Sequence, residues 1–368
     1  MKRIFSVFAM MLFCLCASAQ QFKYDAKFDY IFLNREFDRS HNIFRQSGTL
    51  HAARLTPLIG LDWNQGGLAR HSLRAGVDLF KNMGEGLEAG KVFNEVLLYY
   101  QAEVPVRRRR ATFSAIAGIF PRSFSEGFYS DAFFSDELCY LDNNFEGMFF
   151  KYRAPHSYAE LGLDWCGKKG LTRREAFRIM SAGRVDLFGA GLLGFGWSAS
   201  MFHYAGSEAV RGVVDNTLVN PYLKVDLSGV MPFQVLSLMA GPLIGYQWDR
   251  VAEPGARMPW GLESVFTVQN WNVGLENIYY HGDDMYLLYD RYGEAVYYGD
   301  PFYHWPWEGK SGFDKLSVYW QPRIALCVSL RVAVELFFGE KTEACPVLYR
   351  GTNQKMTLVF DLEKLRVR

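Results

Sequence analysis

Residues able to do chemistry are concentrated in a few stretches of the 368-residue chain. Segment 121–145, "PRSFSEGFYSDAFFSDELCYLDNNF", carries Glu126, Asp131, Asp136, Glu137 and Asp142 against one basic residue, Arg122. Carboxylates at that density create a negative potential suited to cations or to facing guanidinium groups. Arginines recur at Arg54, Arg70, Arg74, Arg174, Arg178 and Arg184. Segment 282–313 holds Tyr297, Tyr298, Phe302, Tyr303, Trp305 and Trp307, besides Tyr286, Tyr289 and Tyr292. A loop that aromatic is too oily to stay extended in water: it packs on itself as a lid, meets a partner, or stacks on sugars.

Other candidates carry less. His281-Gly282-Asp283-Asp284 has the residue types of a metal or catalytic centre, but the seven His are scattered and none has ligand spacing to a second His or to Cys. No nucleophile elbow surrounds the Ser and His residues. No catalytic residue, metal or cofactor is therefore expected and the chain reads as a non-enzyme, with a hydrolase of dispersed residues as the lesser alternative. Gly-Leu-Asp-Trp occurs at 60–63 and at 162–165, each at the end of an alternating segment, where Trp suits a membrane interface. Arginines 107–110 fall in a short link, and with a formal net charge of +1 nucleic acid is not an expected partner.

The elements that must position these residues show in "FKYDAKFDYIF", residues 22–32, where aromatic or apolar side chains alternate with Lys23, Asp25, Lys27 and Asp29. Strand side chains alternate faces, so this ribbon has one oily and one ionic side. Similar segments appear at 22–33, 49–63, 68–80, 92–104, 111–120, 146–154, 157–166 and 173–187, and again at 192–204, 213–228, 233–248, 260–270, 272–281, 314–322, 327–338 and 353–365. These make about sixteen strands, most near the ~10 residues that a tilted strand needs to cross a bilayer. Long links (34–48, 81–91, 121–145, 167–172, 205–212, 249–259, 282–313, 339–352) alternate with short ones (64–67, 105–110, 155–156, 188–191, 229–232, Trp271, 323–326). That rhythm belongs to an up-and-down antiparallel barrel, with short periplasmic turns and long external loops.

Two hairpins can be paired residue by residue. With Gln65-Gly66-Gly67 as the turn, Asn64 opposes Leu68, Asp62 faces Arg70, and Arg54 faces Asp78, while Arg74 faces Leu58 and has no cross-strand carboxylate. At the Pro155-His156 turn, Lys151 pairs with Glu160 on one face and Phe150 with Leu161 on the other. The ionic face continues through Arg174, Arg178, Arg184, Glu263 and Glu335, and no dry interior absorbs so many charges. Oil is therefore outside and water inside: an all-β transmembrane barrel, single-domain over 20–368.

Residues 1–19 have the layout of a cleaved signal peptide: Lys2 and Arg3, an apolar run from Ile4 to Cys16, then Ala17-Ser18-Ala19. Beyond it no stretch reaches about 18 uninterrupted apolar residues, although 49% of the chain is hydrophobic and 16% aromatic. The chain in this respect is similar to Gram-negative outer-membrane porin-like barrels, in the ending "ASAQ", the strand and link alternation, and the amphipathic "MTLVFDLEKL" near the C-terminus. The departure is Leu365-Arg366-Val367-Arg368, where many such barrels finish on an aromatic residue.

The resemblance implies an outer-membrane location and a channel for passive diffusion of small polar solutes. It also implies that the third external loop, 121–145, folds into the lumen and constricts it. The charges then suggest Arg74, Arg174 and Arg178 as a basic wall opposite, the alternative being that these arginines pair with neighbouring strands. The alternative is a structural or accessory barrel subunit of an outer-membrane complex, its lumen plugged by its loops. Expected partners are outer-membrane lipid and lipopolysaccharide, small polar solutes or sugars, and a protein at the external loops or periplasmic turns. Export favours disulfides, and the topology puts Cys139, Cys166 and Cys345 on the external side and Cys327 near the periplasmic rim. A Cys139–Cys166 bridge is the favoured pairing, with free thiols the alternative.

Overall fold

The computed structural model describes all residues except 1–20, 38–45, 86–91, 108–109, 188–190, 306, 344–345 and 366–368, and the side chains of 323 and 365. The expected signal peptide, Cys345 and part of the four-arginine run lie outside the described residues. The strands are β1 (Gln21–Phe37), β2 (Gly48–Gln65), β3 (Ala69–Asn82), β4 (Phe93–Val106), β5 (Ala111–Pro121), β6 (Asn144–Ala154), β7 (Ser157–Gly167) and β8 (Ala176–Asp186). They continue as β9 (Leu193–Tyr204), β10 (Val214–Asp226), β11 (Val235–Asp249), β12 (Trp260–Asn270), β13 (Val273–Gly282), β14 (Ser311–Trp320), β15 (Arg323–Ala325), β16 (Val328–Gly339) and β17 (Tyr349–Asp361).

Apart from the three-residue β15 inside a turn, these are the sixteen strands of a closed antiparallel barrel. Each pairs with its sequence neighbours, β14 also pairs with β16, and β1 closes the ring on β17 with Phe32 opposite Met356. Closure leaves no unpaired edge, which is what a sheet surrounded by hydrocarbon requires. Every segment expected from the alternation forms one of these strands, with ends displaced by a few residues.

The two faces divide as the pattern demands. Glu160 and Asp164 of β7 are 4% and 2% exposed and point into the barrel, whereas Leu161 and Trp165 between and beyond them are 48% and 40% exposed outside. Aromatic stacks mark both rims of the outer belt. Trp63, His71 and Tyr100 stack near the first short turn, and Trp165, Phe177 and His203 near the opposite end. The two Gly-Leu-Asp-Trp tetrapeptides thus each supply an interfacial Trp.

The β6–β7 hairpin has the expected register, with Lys151 opposite Glu160 and Phe150 opposite Leu161. The β2–β3 hairpin is corrected by two residues: Gln65 opposes Ala69 and Asp62 opposes Ser72, because the turn runs over Gly66, Gly67 and Leu68. Gly66 (φ +54) and Gly67 (φ +73) supply the left-handed conformations of that turn. A slip of two keeps every side chain on its face, so the expected ion pairs still form diagonally, Arg54 Nε to Asp78 Oδ1 at 3.0 Å and Arg70 Nη2 to Asp62 Oδ2 at 3.3 Å. It also brings Arg74 Nη2 within 2.6 Å of Asp62 Oδ1, so Arg74 does have a carboxylate. The β12–β13 turn uses two residues, Trp271 (φ +49) and Asn272 (φ +65), rather than Trp271 alone.

Candidate functional site

Segment 121–145 starts from β5 with a short 3-10 turn, Arg122–Phe124, and later forms the helix Asp136–Leu141. Ser135 caps that helix by accepting from Leu138 N at 3.2 Å, and Asp136 and Glu137 sit in its first turn, where the helix dipole favours them. Arg122 fastens the ends of the segment. Its backbone N–H donates to Asn143 O (2.7 Å), Nε donates to Asp142 O (2.6 Å), and Nη1 lies 2.8 Å from Asp164 Oδ2 of β7.

Between those ends the segment crosses the barrel interior, as its partners on the wall demonstrate. Ser125 Oγ and Gly127 N donate to Glu160 Oε1 of β7 at 2.8 and 3.0 Å, and Ser130 Oγ donates to Glu263 Oε2 of β12 at 2.7 Å. Glu126 pairs with Lys151 of β6 at 2.9 Å, Asp131 with Lys315 of β14, Asp136 with Lys355 of β17, and Glu137 with Arg35 of β1. Burial pushes the Asp131 carboxyl up, against the pull of Lys315. The Lys355 ammonium instead holds the Asp136 carboxyl well below the usual carboxylate range.

The aromatic segment between β13 and β14 turns inward as well. Tyr286, Tyr297, Tyr303 and Trp305 are buried, Tyr298 and Trp307 partly so, and Phe302 stacks on Phe337 of β16 at 4.5 Å. The hydroxyls of the three buried tyrosines are satisfied: Tyr303 donates to Glu263 Oε2 (2.6 Å), Tyr297 to Gln247 Oε1 (2.7 Å), and Tyr286 to Ala132 O (2.9 Å). The two segments are also laced by backbone bonds, Asp300 N to Asp131 O (2.7 Å) and Ser135 N to Tyr298 O (2.8 Å). Of the expected outcomes for this loop, the self-packed lid is what forms. Most of the rings pack on one another and on the wall.

Other expected site residues land as follows. Arg54, Arg70, Arg74, Arg178 and Arg184 face the lumen, whereas Arg174 precedes β8, with Nε on Ala205 O (2.6 Å) and the guanidinium over Tyr204 and, at 5.7 Å, over Tyr292 of the aromatic segment. Arg178 is enclosed by Phe134 and Tyr298, 4.7 and 4.1 Å from their ring centres, and Arg184 pairs with Asp186 at 2.9 Å. The acidic segment therefore does not face Arg74, Arg174 and Arg178 across a gap. Its partners are Lys315, Lys355, Arg35 and Lys151, because it reaches the far side of the barrel before turning back. Lys315 and Lys355 could have been found as the inward positions of "SGFDKLSVYW" and "NQKMTLVFD", but which loop meets which wall is not written in strand periodicity. Cys139 and Cys166 are separate thiols, correcting the expected bridge: Cys139 lies toward Arg54 of β2, while Cys166 packs beside the aromatic lid.

Beneath the two segments, toward the short turns, the lumen keeps a polar cavity of about 800 Å³. Glu103, Lys151, Glu160, Arg184, Lys224 and Glu276 are among its lining residues. Charged groups of both signs on opposite walls suit small polar solutes and water.

No protein-family model matches the sequence, and no curated protein matches it. Solved structures share the fold. An anion-selective porin from Comamonas acidovorans aligns over 93% of this chain and 100% of its own, at 9% identity and a TM-score of 0.53. A loop L8 deletion mutant of OmpT, an outer membrane protein of Vibrio cholerae, aligns over 94% and 100%, at 9% identity and 0.51. OmpF of Salmonella typhi, solved in complex with daunomycin, aligns over 92% and 97%, at 9% identity and 0.50. At such identities the likeness is one of fold: this chain forms the same kind of closed antiparallel β-barrel as these outer-membrane proteins.

Proposed function

We propose that the protein is an outer-membrane channel for passive diffusion of small polar solutes, narrowed by its own segments 121–145 and 283–310. The observation that carries this reading is the set of ion pairs by which the acidic segment spans the barrel, Glu126 to β6, Asp131 to β14, Asp136 to β17 and Glu137 to β1. A segment tied at so many points acts as a fixed constriction, and low-dielectric walls make each charge there count. The polar cavity below it supports passage of hydrated solutes rather than apolar ones.

Swelling of proteoliposomes in isosmotic solutes of graded size tests the reading. Swelling is expected with the smallest sugars and amino acids and should stop sharply as solute size grows. Equal rates for small and large solutes would argue for a wide pore and against a constriction. One observation favours a second reading, the accessory barrel with a plugged lumen: Tyr286 and Tyr303 are wholly buried in the lid. No swelling with any solute would select it.

A further inference from the structure

A second cavity, of about 550 Å³, lies between the helix Asp136–Leu141 and the aromatic segment. Arg35 near the end of β1 and Gln46 just ahead of β2 both line it, which puts it at the external end of the barrel, opposite the polar cavity near the short turns. Its size is that of a small-molecule site.

The lining divides into two kinds of surface. One is apolar and flat: the rings of Tyr289 and Tyr298, with Leu138 and Leu141, which stand three apart and so share a face of the helix. These rings are half-buried and held in place before any ligand arrives. Tyr289 lies against Tyr286 with the ring centres 6.0 Å apart and the planes at 19°, and Tyr298 meets Phe202 edge-on at 5.2 Å and carries the Arg178 guanidinium at 4.1 Å. Rings fixed in advance lose little freedom on binding. The other surface is the Arg35–Glu137 pair, whose side chains are 19% and 24% exposed and therefore still reachable. Its charges cancel, so it draws no net charge, but side by side it offers guanidinium N–H donors and carboxylate acceptors.

We propose that this cavity is an external binding site for neutral pyranose sugars of mono- to disaccharide size, taken up on the Tyr289 and Tyr298 rings and held at their hydroxyls by Arg35 and Glu137. A pyranose has the matching two-sided chemistry: C–H groups on its flat faces pack on aromatic rings, while neighbouring hydroxyls around its edge each donate and accept. A charged solute would need an uncancelled partner, and a wholly apolar one would strip water from Arg35 and Glu137 without replacing it. The site adds a solute class to the channel reading and does not depend on conduction.

Calorimetry on the full-length protein in detergent tests it, with glucose, maltose, cellobiose and lactose each titrated to about 10 mM. At least one of these sugars should bind saturably, and sorbitol, which has the hydroxyls but no ring, should bind about tenfold more weakly or not at all. Glu137→Gln keeps the shape and removes a charged acceptor, and should weaken the sugar by about tenfold. Leu141→Trp, at a side chain 44% exposed, puts a ring into the cavity and should abolish binding in a protein whose heat-modifiable migration shows an intact barrel. Saturable binding of none of the four sugars, equal binding of sorbitol, or sugar binding unchanged in both variants would overturn the proposal. Conduction by a wild type that binds no sugar removes this site alone, and sugar binding by a protein that never conducts keeps the site while the channel reading falls.

Discussion

Arg54 and Asp78 face each other with their side chains 2% and 0% exposed, under the ring of Phe80 at 4.7 Å. An ion pair so enclosed adds little net stability while both partners remain, because desolvation offsets their attraction, but losing one partner leaves a buried charge uncompensated. Asp78→Ala should therefore destabilise the barrel by ~3–5 kcal/mol, read as a lower urea midpoint for the protein folded in lipid. Arg70→Ala, at a side chain 59% exposed, should cost less than ~1 kcal/mol. Equal costs would mean that water reaches Arg54 freely. This pair was legible in the sequence although the register was not. Alternation assigns both residues to the inner face, and an arginine is long enough to reach its diagonal neighbour after a slip of two. The Asp62–Arg74 pair was missed for the same reason: a partner two residues away looks absent when only directly opposite positions are compared.

At the scale of elements, strands and loops differ in how far the chain announces them. Each strand repeats its own period-two signal, so all sixteen could be read locally. The β12–β13 turn could not, because Trp271-Asn272 lacks the glycine that usually marks two adjacent left-handed residues. The aromatic lid announces that it must bury its rings but not against what: the Tyr286 hydroxyl finds its carbonyl on Ala132, 154 residues away. If the lid is docked as described, proteases should cut it slowly in the wild type. Tyr303→Ala removes a wholly buried ring and the hydrogen bond to Glu263, a loss of ~3–5 kcal/mol concentrated on this loop. Limited proteolysis of the folded variant should then give cleavage within 283–310 while the barrel stays intact. Rapid cleavage of the wild-type loop would show that it does not sit in the lumen.

Across the whole molecule, the proposed channel has its charge and width set by the two inner segments together. Replacing Asp131, Asp136 and Glu137 with Asn or Gln leaves Lys315, Lys355 and Arg35 without these carboxylates. Potential inside the constriction becomes more positive, and the reversal potential under a KCl gradient should shift toward anion preference. The shift should shrink in 1 M salt, where screening falls to about 3 Å. An unchanged reversal potential in a conducting variant would put these carboxylates outside the ion path.

The central claim, that an otherwise wide sixteen-strand lumen is narrowed by its own segments, meets its most direct test in single-channel conductance before and after removal of the lid. Replacing 284–309 with a short Gly-Ser linker leaves the strands untouched and opens the arc lined by Phe202, Leu243, Ile278 and Phe337. The wild type should show a small, steady conductance and the lidless variant one several-fold larger. Equal conductances in the two proteins would contradict the account, because the lid would then occupy no part of the path.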